Sequence, residues 1–148
     1  MGELAAAQFG VVSLAQLRAI GLGRGAVEKA VRCGRLCRLY SGVFAAGHPI
    51  LRPEGRRLAA VLACGPGAAL SHRSAAAHWG LLATQQSAVD VSAPRSRDGV
   101  PGIRVHRPRS LDARDTTDHE GIPVTAVART LLDVAATVRP DRLERALA

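Results

Sequence analysis

The first fifty residues show short apolar periodicities separated by glycines, a pattern that predicts two short helices and a β-hairpin. The first of these helices begins at an N-cap, Ser13, ends at Gly21, and buries one apolar face made of Leu14, Leu17 and Ile20. The second helix spans 24–33. The runs RLCRLY and GVFAAG then predict two strands joined by a turn at Ser41 and Gly42. A helix-turn-helix followed directly by a hairpin is a winged helix.

The remainder of the chain predicts a small mixed α/β domain. A proline-bounded connector at 47–53 marks the boundary, so we expect a winged helix-turn-helix domain over 1–50 and a mixed α/β domain over 54–148. The predicted elements of the second domain are helices at 56–64 and 71–80, strands at 87–93, 102–107 and 122–125, and a polar, acidic loop at 111–120. The predicted fold class is therefore α+β.

The amphipathic pattern is strongest in the helix that follows the strand at 122–125. Thr125 is its predicted N-cap, Pro140 ends it, and its buried stripe is predicted to contain Val127, Leu131, Leu132 and Val138. Another helix begins at Asp141 and reaches the last residue without a cap. We therefore expect the chain to be truncated in its last helix relative to a longer ancestor.

Charge is unevenly distributed along the chain. Nineteen arginines and one lysine stand against 12 acidic residues, for a net charge of +8. Residues 1–57 carry +6, residues 58–110 carry +4, and residues 111–148 carry −2. A basic N-terminal end indicates a polyanionic partner, and nucleic acid is the commonest one. Because arginine-rich composition also follows from genomic base composition, charge alone leaves the partner open.

The basic residues of the first domain collect on the second predicted helix and the hairpin. We call five of them the cationic face: Arg24, Lys29, Arg32, Arg35 and Arg38. Such side chains neutralise DNA phosphates, and arginine also binds guanine edges in the major groove. The alternative is a solvated helix face on which Glu28 pairs with its i±4 neighbours. The predicted DNA-binding set also includes Gln16, Arg18, Gly25, Glu28 and Ser41.

A second candidate contact lies at the start of the helix predicted at 71–80. His72 and Arg73 fall in its first turn, where an imidazole and a guanidinium are placed to contact a phosphate or a partner's carboxylate. The alternative is purely structural: Ser71 caps the helix, the alanines permit close packing, and Trp79 fills the core.

Signatures of metal binding and catalysis are absent from the sequence. Cys33, Cys37 and Cys64 lack the paired spacing of zinc sites, and the acidic residues of 111–120 lack the pattern of a calcium loop. H-E-x-x-H, G-x-S-x-G, phosphate-loop and dinucleotide motifs do not occur, and the single lysine lies on the predicted recognition helix. We expect no enzyme activity, no metal and no cofactor.

Cellular location is predicted from what the sequence lacks. No apolar run approaches the 18 residues of a membrane span, and the start lacks the features of a signal peptide. The three cysteines do not form a disulfide framework. We expect a cytoplasmic protein without a membrane partner.

Four stretches of the chain, in order, resemble a known bacterial family. They are GVVSLAQLRAIGLGRGAVEKAVRCGRLCRLYSGVFAAGHP, LAAVLACGPGAALSHRSAAAHWGLL, GIRVHR and GIPVTAVARTLLDVAA. This order resembles the AbiEi-type antitoxins of type IV toxin–antitoxin systems. It resembles still more closely the N-terminal half of bacterial proteins that carry a very-short-patch-repair-like endonuclease domain. The resemblance covers about residues 8–148, and LSHRSAAAHWGLL and GIPVTAVARTLLD are its most specific parts.

The resemblance implies that 1–50 is a winged helix-turn-helix DNA-binding domain, which binds promoter DNA and represses its own operon. It also implies that 54–148 is an antitoxin-like α/β domain, which supports antitoxin action. The implied partners are double-stranded operator DNA, a nucleotidyltransferase-like toxin and a second copy of the chain on DNA. The chain departs from the family at Gly23 and Gly25, where related chains often carry larger residues, and its 148 residues contain no stretch that resembles the endonuclease-like domain. Two alternatives stay open: a protein-interaction module, and a DNA-targeting fragment of a repair-type endonuclease without its catalytic domain.

Overall fold

The chain forms two compact units, Met1–Ala63 and Cys64–Ala148. The structure is a computed structural model that describes residues 1–83, 86–95, 99–137 and 147. Both units combine helices with a sheet, which confirms the predicted α+β class. Within the described residues, no helix is long and apolar enough to cross a membrane. The predicted helix from Asp141 and the predicted core residue Val138 lie outside the described residues.

The N-terminal unit has the element order of a winged helix. Its elements are α1 (Gly2–Ala7), β1 (Val11–Ser13), α2 (Leu14–Ala19), α3 (Arg24–Arg32), β2 (Leu36–Tyr40), β3 (Val43–Ala46) and α4 (Pro53–Ala63). The three strands form an antiparallel sheet in the order β1-β3-β2. The predicted helix-turn-helix and hairpin are therefore both present.

Local sequence signals set the ends of the two central helices. The Ser13 hydroxyl accepts from the backbone N–H of Gln16, whose side chain accepts from the Ser13 N–H, so the predicted capping box is confirmed. At the other end, Gly21 has φ +89° and the Leu22 N–H bonds to the Leu17 carbonyl. Gly34, with φ +72°, closes α3 in the same way. These left-handed glycines terminate α2 and α3 in Schellman motifs.

One apolar cluster holds the helices of the winged helix against its sheet. Its buried members are Ala5, Val12, Leu17, Val27, Ala30, Leu36 and Phe44. Val31 packs at the edge of the cluster, so the predicted stripe of α3 is confirmed. The predicted burial of Ile20 is wrong: it lies at the C-cap of α2, beyond the reach of the core, and is 48% exposed.

The boundary between the units lies further along the chain than the connector suggested. Helix α4 was expected to open the second domain, but its Ala59 packs in one cluster with Val11 of β1 and Val43 of β3. Its contacts therefore place α4 in the N-terminal unit, which extends to Ala63.

In its described residues up to 137, the C-terminal unit has a five-stranded mixed sheet and two helices. Its elements are β4 (Ala69–Leu70), α5 (His72–His78), β5 (Val89–Ser92), β6 (Ile103–His106), β7 (Thr116–His119), β8 (Ile122–Thr125) and α6 (Val127–Ala135). The strand order is β6-β5-β4-β8-β7, with β4 parallel to β8 and β5 parallel to β6. Each of the predicted strands at 87–93, 102–107 and 122–125 contains an observed strand, and Gly80 ends α5 with φ +75°.

Three expectations for the second unit are wrong. The predicted loop at 111–120 contains strand β7, whose polar residues pair with β8. Thr125 does not cap α6: the N-cap is Ala126, and the Thr125 hydroxyl lies 2.7 Å from that of Thr130. The buried residues of α6 are Thr130 and Val134, whereas Val127 is 39% and Leu132 is 72% exposed.

Candidate nucleic-acid interface

Helix α3 turns its apolar side to the core and its charged side outward. Val27 and Ala30 are buried, whereas Arg24, Lys29 and Arg32 are exposed. At 100° per residue, Lys29 and Arg32 lie near the centre of the exposed side and Arg24 lies towards its edge. The three cations therefore share one solvent-facing surface that spans the length of α3.

The start of α3 is open to a close-approaching partner. The N-cap Gly23 supplies no side chain, so the first backbone N–H groups of the helix have no side-chain cap. A Cβ placed on Gly23 or on Gly25 would meet nothing within 4 Å. Free helix N-terminal N–H groups bind phosphate well, and the two glycines let a DNA backbone approach them.

One ion pair lies within the exposed side of α3. Arg24 Nε donates to Glu28 Oε1 at 2.9 Å, and their side chains are 86% and 55% exposed. This confirms one of the two i,i+4 pairs expected for Glu28; within the described part of the chain, Arg32 makes none. An exposed pair of this kind contributes only about 0.3–0.5 kcal/mol to stability, so it leaves the guanidinium available to DNA.

The hairpin adds further exposed cations. Arg35 follows the end of α3 directly, and Arg38 lies on β2 opposite Phe44 of β3. The Arg38 guanidinium carbon lies 5.3 Å from the centroid of the Phe44 ring, a cation–π contact that orients an exposed side chain. Ser41 is exposed in the turn, and the Gly42 carbonyl accepts from the Leu14 N–H at 2.8 Å, which ties the turn to the start of α2.

The two predicted contacts on α2 have different surroundings. Arg18 is exposed in the last turn of α2. Gln16 is half-buried, and its amide is already occupied by the capping box and by two hydrogen bonds with the Gln8 amide, at 2.7 and 3.1 Å. Arg18 is therefore available for a phosphate contact, whereas Gln16 serves the local fold.

The three cysteines differ in exposure. None of the three forms a disulfide: Cys33 is exposed, Cys37 is half-buried, and Cys64 is buried. The Cys37 Sγ lies 3.8 Å from the Gly47 carbonyl oxygen. Cys33 and Cys37 belong to the N-terminal unit and Cys64 to the C-terminal unit.

The second unit contains a charged network that sequence reasoning missed. Asp90 on β5 is 1% exposed, and its Oδ1 accepts from His106 Nε2 at 2.8 Å and from Arg104 at 3.3 Å. The Gln86 side-chain amide nitrogen donates to Asp90 Oδ2 at 3.2 Å, and its amide oxygen accepts from Arg73 at 2.8 Å. The signal available in the sequence was weak, because the polar residues of β5 and β6 alternate as in any half-exposed strand.

His72 and Arg73 contact this network and the chain around it. The His72 ring stacks on the His106 ring with centroids 3.6 Å apart, and its Nδ1 lies 3.0 Å from the Ser71 hydroxyl. Arg73 donates to the Thr137 carbonyl at 3.0 Å. Ser71 occupies the expected N-cap position of α5 but makes no capping hydrogen bond. Both candidate residues therefore have partners within their own unit.

Acid is expected to destabilise the C-terminal unit through His72. Burial and the neighbouring His106 lower the pKa of His72 below its ordinary 6.5; Arg129 on α6 acts in the same direction, and Asp133 and Asp90 oppose it. The unfolded chain thus binds more protons, so the contribution of His72 is fully present above pH 6.5 and declines as the pH falls below it.

Thermal unfolding monitored by Trp79 between pH 8 and pH 5 measures this effect. His72→Asn, which suits the φ of +50° at this position, is expected to flatten the acid side of the profile. The control His48→Asn alters an exposed histidine of the other unit. An unchanged profile in His72→Asn contradicts the assignment.

An N-terminal winged helix with an exposed basic helix and hairpin, followed by a mixed α/β unit, defines a class of DNA-binding regulator. Residues 3–47 match the family described as "Transcriptional regulator, AbiEi antitoxin", and residues 67–146 match the "AbiEi antitoxin C-terminal domain". The second match alone spans more than half of the 148 residues. The chain belongs to the AbiEi antitoxin family, as its sequence motifs indicated.

The fold has a counterpart among solved structures. The RV2827C protein from Mycobacterium tuberculosis is similar, with a TM-score of 0.55 and 22% sequence identity over 99% of this chain and 69% of that one. At this identity the likeness shows the fold alone. Comparison with curated protein sequences gives no match. The family matches support a transcriptional-regulator antitoxin of a toxin–antitoxin system.

Proposed function

We propose that the chain is the antitoxin of a type IV toxin–antitoxin system and represses its own operon by binding operator DNA through its winged helix. The observation that carries the proposal is the exposure of all five residues of the cationic face. They follow one another along α3, the closing turn and β2 of a single small unit. The family matches give the regulator and antitoxin role, and the cationic face gives its means of binding DNA.

Helix α3 is the recognition element in this proposal. A helix of this kind lies in the major groove with its N-terminal residues on base edges. Arg24 is the first residue of α3, and in this proposal its guanidinium binds guanine O6 and N7. Glu28, one turn further along, accepts from cytosine N4. Lys29 and Arg32 then neutralise phosphates, which sets affinity without sequence preference.

The hairpin and α2 supply the remaining contacts. Arg35 and Arg38 extend the basic surface along β2, and the small exposed Ser41 lies in the turn, where it donates to a phosphate oxygen. Arg18 on α2 contacts the DNA phosphate backbone on the other side of the recognition helix. A second copy of the chain on a palindromic operator doubles these contacts and fixes the half-site spacing.

The C-terminal unit is proposed to carry antitoxin action against a nucleotidyltransferase-like toxin encoded in the same operon. The match over 67–146 supports this assignment, since it covers the described part of the unit's sheet together with α5 and α6. Antitoxin action needs no catalytic step in this chain, in agreement with the absence of catalytic motifs from the sequence.

Fluorescence anisotropy with two labelled duplexes tests the proposed function. We expect the chain to bind the region upstream of its own gene at least a thousandfold more tightly than a scrambled duplex of equal composition. A factor of about a thousand is the lower end of the ratio of specific to non-specific affinity in DNA-binding regulators. A promoter–reporter fusion carrying the same region should be repressed when the chain is supplied in trans. Equal affinity for both duplexes together with unchanged reporter expression contradicts autorepression.

A further inference from the structure

The end of helix α5 and the turn between β7 and β8 bring three metal-ligating side chains together. One ligand atom from each of His78, His119 and Glu120 lies within 4.8 Å of the others. Among the described residues, these three side chains form a group that is placed to hold a metal ion. His78 and His119 are 41 positions apart in sequence, so no local sequence motif predicts the group.

Both histidine rings are held in place by contacts that do not depend on a metal. His78 is buried, and its Nε2 lies 2.9 Å from the His119 carbonyl oxygen. The His119 ring stacks on the indole of Trp79, with centroids 4.2 Å apart and 24° between the planes. Trp79 is itself fixed by donating from Nε1 to the Thr125 carbonyl at 2.9 Å. Ring orientation fixed by neighbouring groups is what metal-ligating histidines require.

The third side chain lies on a tight turn. Glu120 and Gly121 both have positive φ, +52° and +78°, as in a two-residue type I′ hairpin turn. Asparagine, aspartate or glycine is the usual residue at the first of these positions, and a glutamate there is an outlier of the kind that collects at functional sites. The Gly121 N–H bonds to Asp118 Oδ1 at 3.0 Å, which secures the turn and leaves Glu120 exposed.

We propose that His78, His119 and Glu120 bind a divalent transition-metal ion, with zinc as the best-fitting ion. Two histidines and one glutamate form an established zinc ligand set that leaves a fourth position for water or another ligand. Tetrahedral bonds of about 2.0–2.1 Å bring ligand atoms to about 3.3 Å from one another. Rotation of the exposed Glu120 side chain and a small adjustment of the rings close the site from its present spacing. This proposal is independent of DNA binding.

Zinc in such a site joins the end of α5 to the β7–β8 hairpin. The metal would be bound by one ligand from the helix and two from the hairpin, beside the hydrogen bond and the ring stack that already connect them. Zinc would therefore stabilise the unit that the AbiEi C-terminal match covers. Because binding to the folded state raises stability by mass action, the melting temperature of the full chain is expected to rise with zinc concentration.

The chain contains its own reporter for this site. Trp79 is the single tryptophan and stacks on His119, so its fluorescence responds to an ion bound there. The full chain is titrated with zinc chloride, and separately with cobalt(II) chloride, which quenches a nearby indole. We expect one ion per chain, a saturable change in Trp79 fluorescence with an affinity in the micromolar range, and a higher melting temperature.

Three variants decide the assignment. His119→Ala is expected to weaken zinc binding at least tenfold, as is Glu120→Gln, which removes the charge from an exposed side chain and leaves the fold intact. The matched control His48→Ala removes an exposed histidine of the other unit and is expected to leave the affinity unchanged.

Two results would overturn the proposal. The first is the absence of any metal-dependent change in Trp79 fluorescence or melting temperature at millimolar zinc. The second is binding whose affinity is equal in Glu120→Gln and in the unaltered chain, since it would place the ion elsewhere, for instance on the Cys33 and Cys37 thiols.

Discussion

Replacing Arg24, Lys29 and Arg32 together with alanine is expected to lower the affinity for duplex DNA at least a hundredfold and to leave folding intact. Each such contact contributes about 1–3 kcal/mol to binding, and the triple variant removes three of them. The side chains are exposed, so their loss opens no cavity. Alanine is a better helix former than the residues it replaces, which compensates for the lost Arg24–Glu28 pair.

Anisotropy and thermal unfolding of the same preparation separate binding from folding. The melting temperature of the triple variant is expected to remain within about 2 °C of the unaltered chain, as for surface substitutions in general. The matched control replaces Arg52 and Arg56, two exposed cations of the same unit outside the cationic face. We expect the control to change affinity less than about threefold. Equal losses in both variants would show that net charge, and not the cationic face, determines binding.

Phe44→Ala is expected to destabilise the N-terminal unit by about 3–5 kcal/mol, the usual cost of truncating a buried phenylalanine. Phe44 is 2% exposed and lies on β3, the central strand of the sheet, which pairs with both β1 and β2. A 63-residue unit has a stability of only about 3–9 kcal/mol, so this variant is at or near unfolding at room temperature. DNA binding is then lost through unfolding, in contrast to the triple variant.

Two single aromatic residues make this prediction measurable unit by unit. Tyr40 is the only tyrosine and lies in the N-terminal unit, and Trp79, the only tryptophan, lies in the C-terminal unit. The tyrosine signal follows the destabilised unit during denaturant unfolding. Ile50→Ala, at a side chain that is 80% exposed, is the control and should cost less than about 0.5 kcal/mol. A loss below about 1 kcal/mol in Phe44→Ala contradicts the described core.

The winged helix was predictable because its signals are local. The Ser13–Gln16 capping box fixes the start of α2 through local side-chain hydrogen bonds, and the glycines at 21 and 34 end α2 and α3 through their backbone geometry; the structure places all of them as expected. The exposure of Arg24, Lys29 and Arg32 on α3 followed from helical periodicity, so these members of the cationic face could be identified before any tertiary contact was known.

The errors occur where tertiary packing overrides local pattern. Val127 and Leu132 belong to an amphipathic helix, yet the buried residues of α6 are Thr130 and Val134. The Thr130 hydroxyl is satisfied because it donates to the Thr125 carbonyl. Strand β7 consists of polar residues and forms only because β8 pairs with it. The group of His78, His119 and Glu120 depends on a contact between elements 41 positions apart, which no periodicity encodes.

The proposed DNA binding depends on the neutralisation of DNA phosphates by exposed cationic side chains of the N-terminal unit. The salt dependence of duplex affinity between 50 and 200 mM sodium chloride measures that quantity directly. We expect log K to fall linearly with log salt concentration with a slope of about −4 to −5. The triple variant is expected to show a slope shallower by about 2, since Lys29 and Arg32 contact phosphates whereas Arg24 contacts a base. A flat response of the unaltered chain, or equal slopes for the two proteins, would contradict the account.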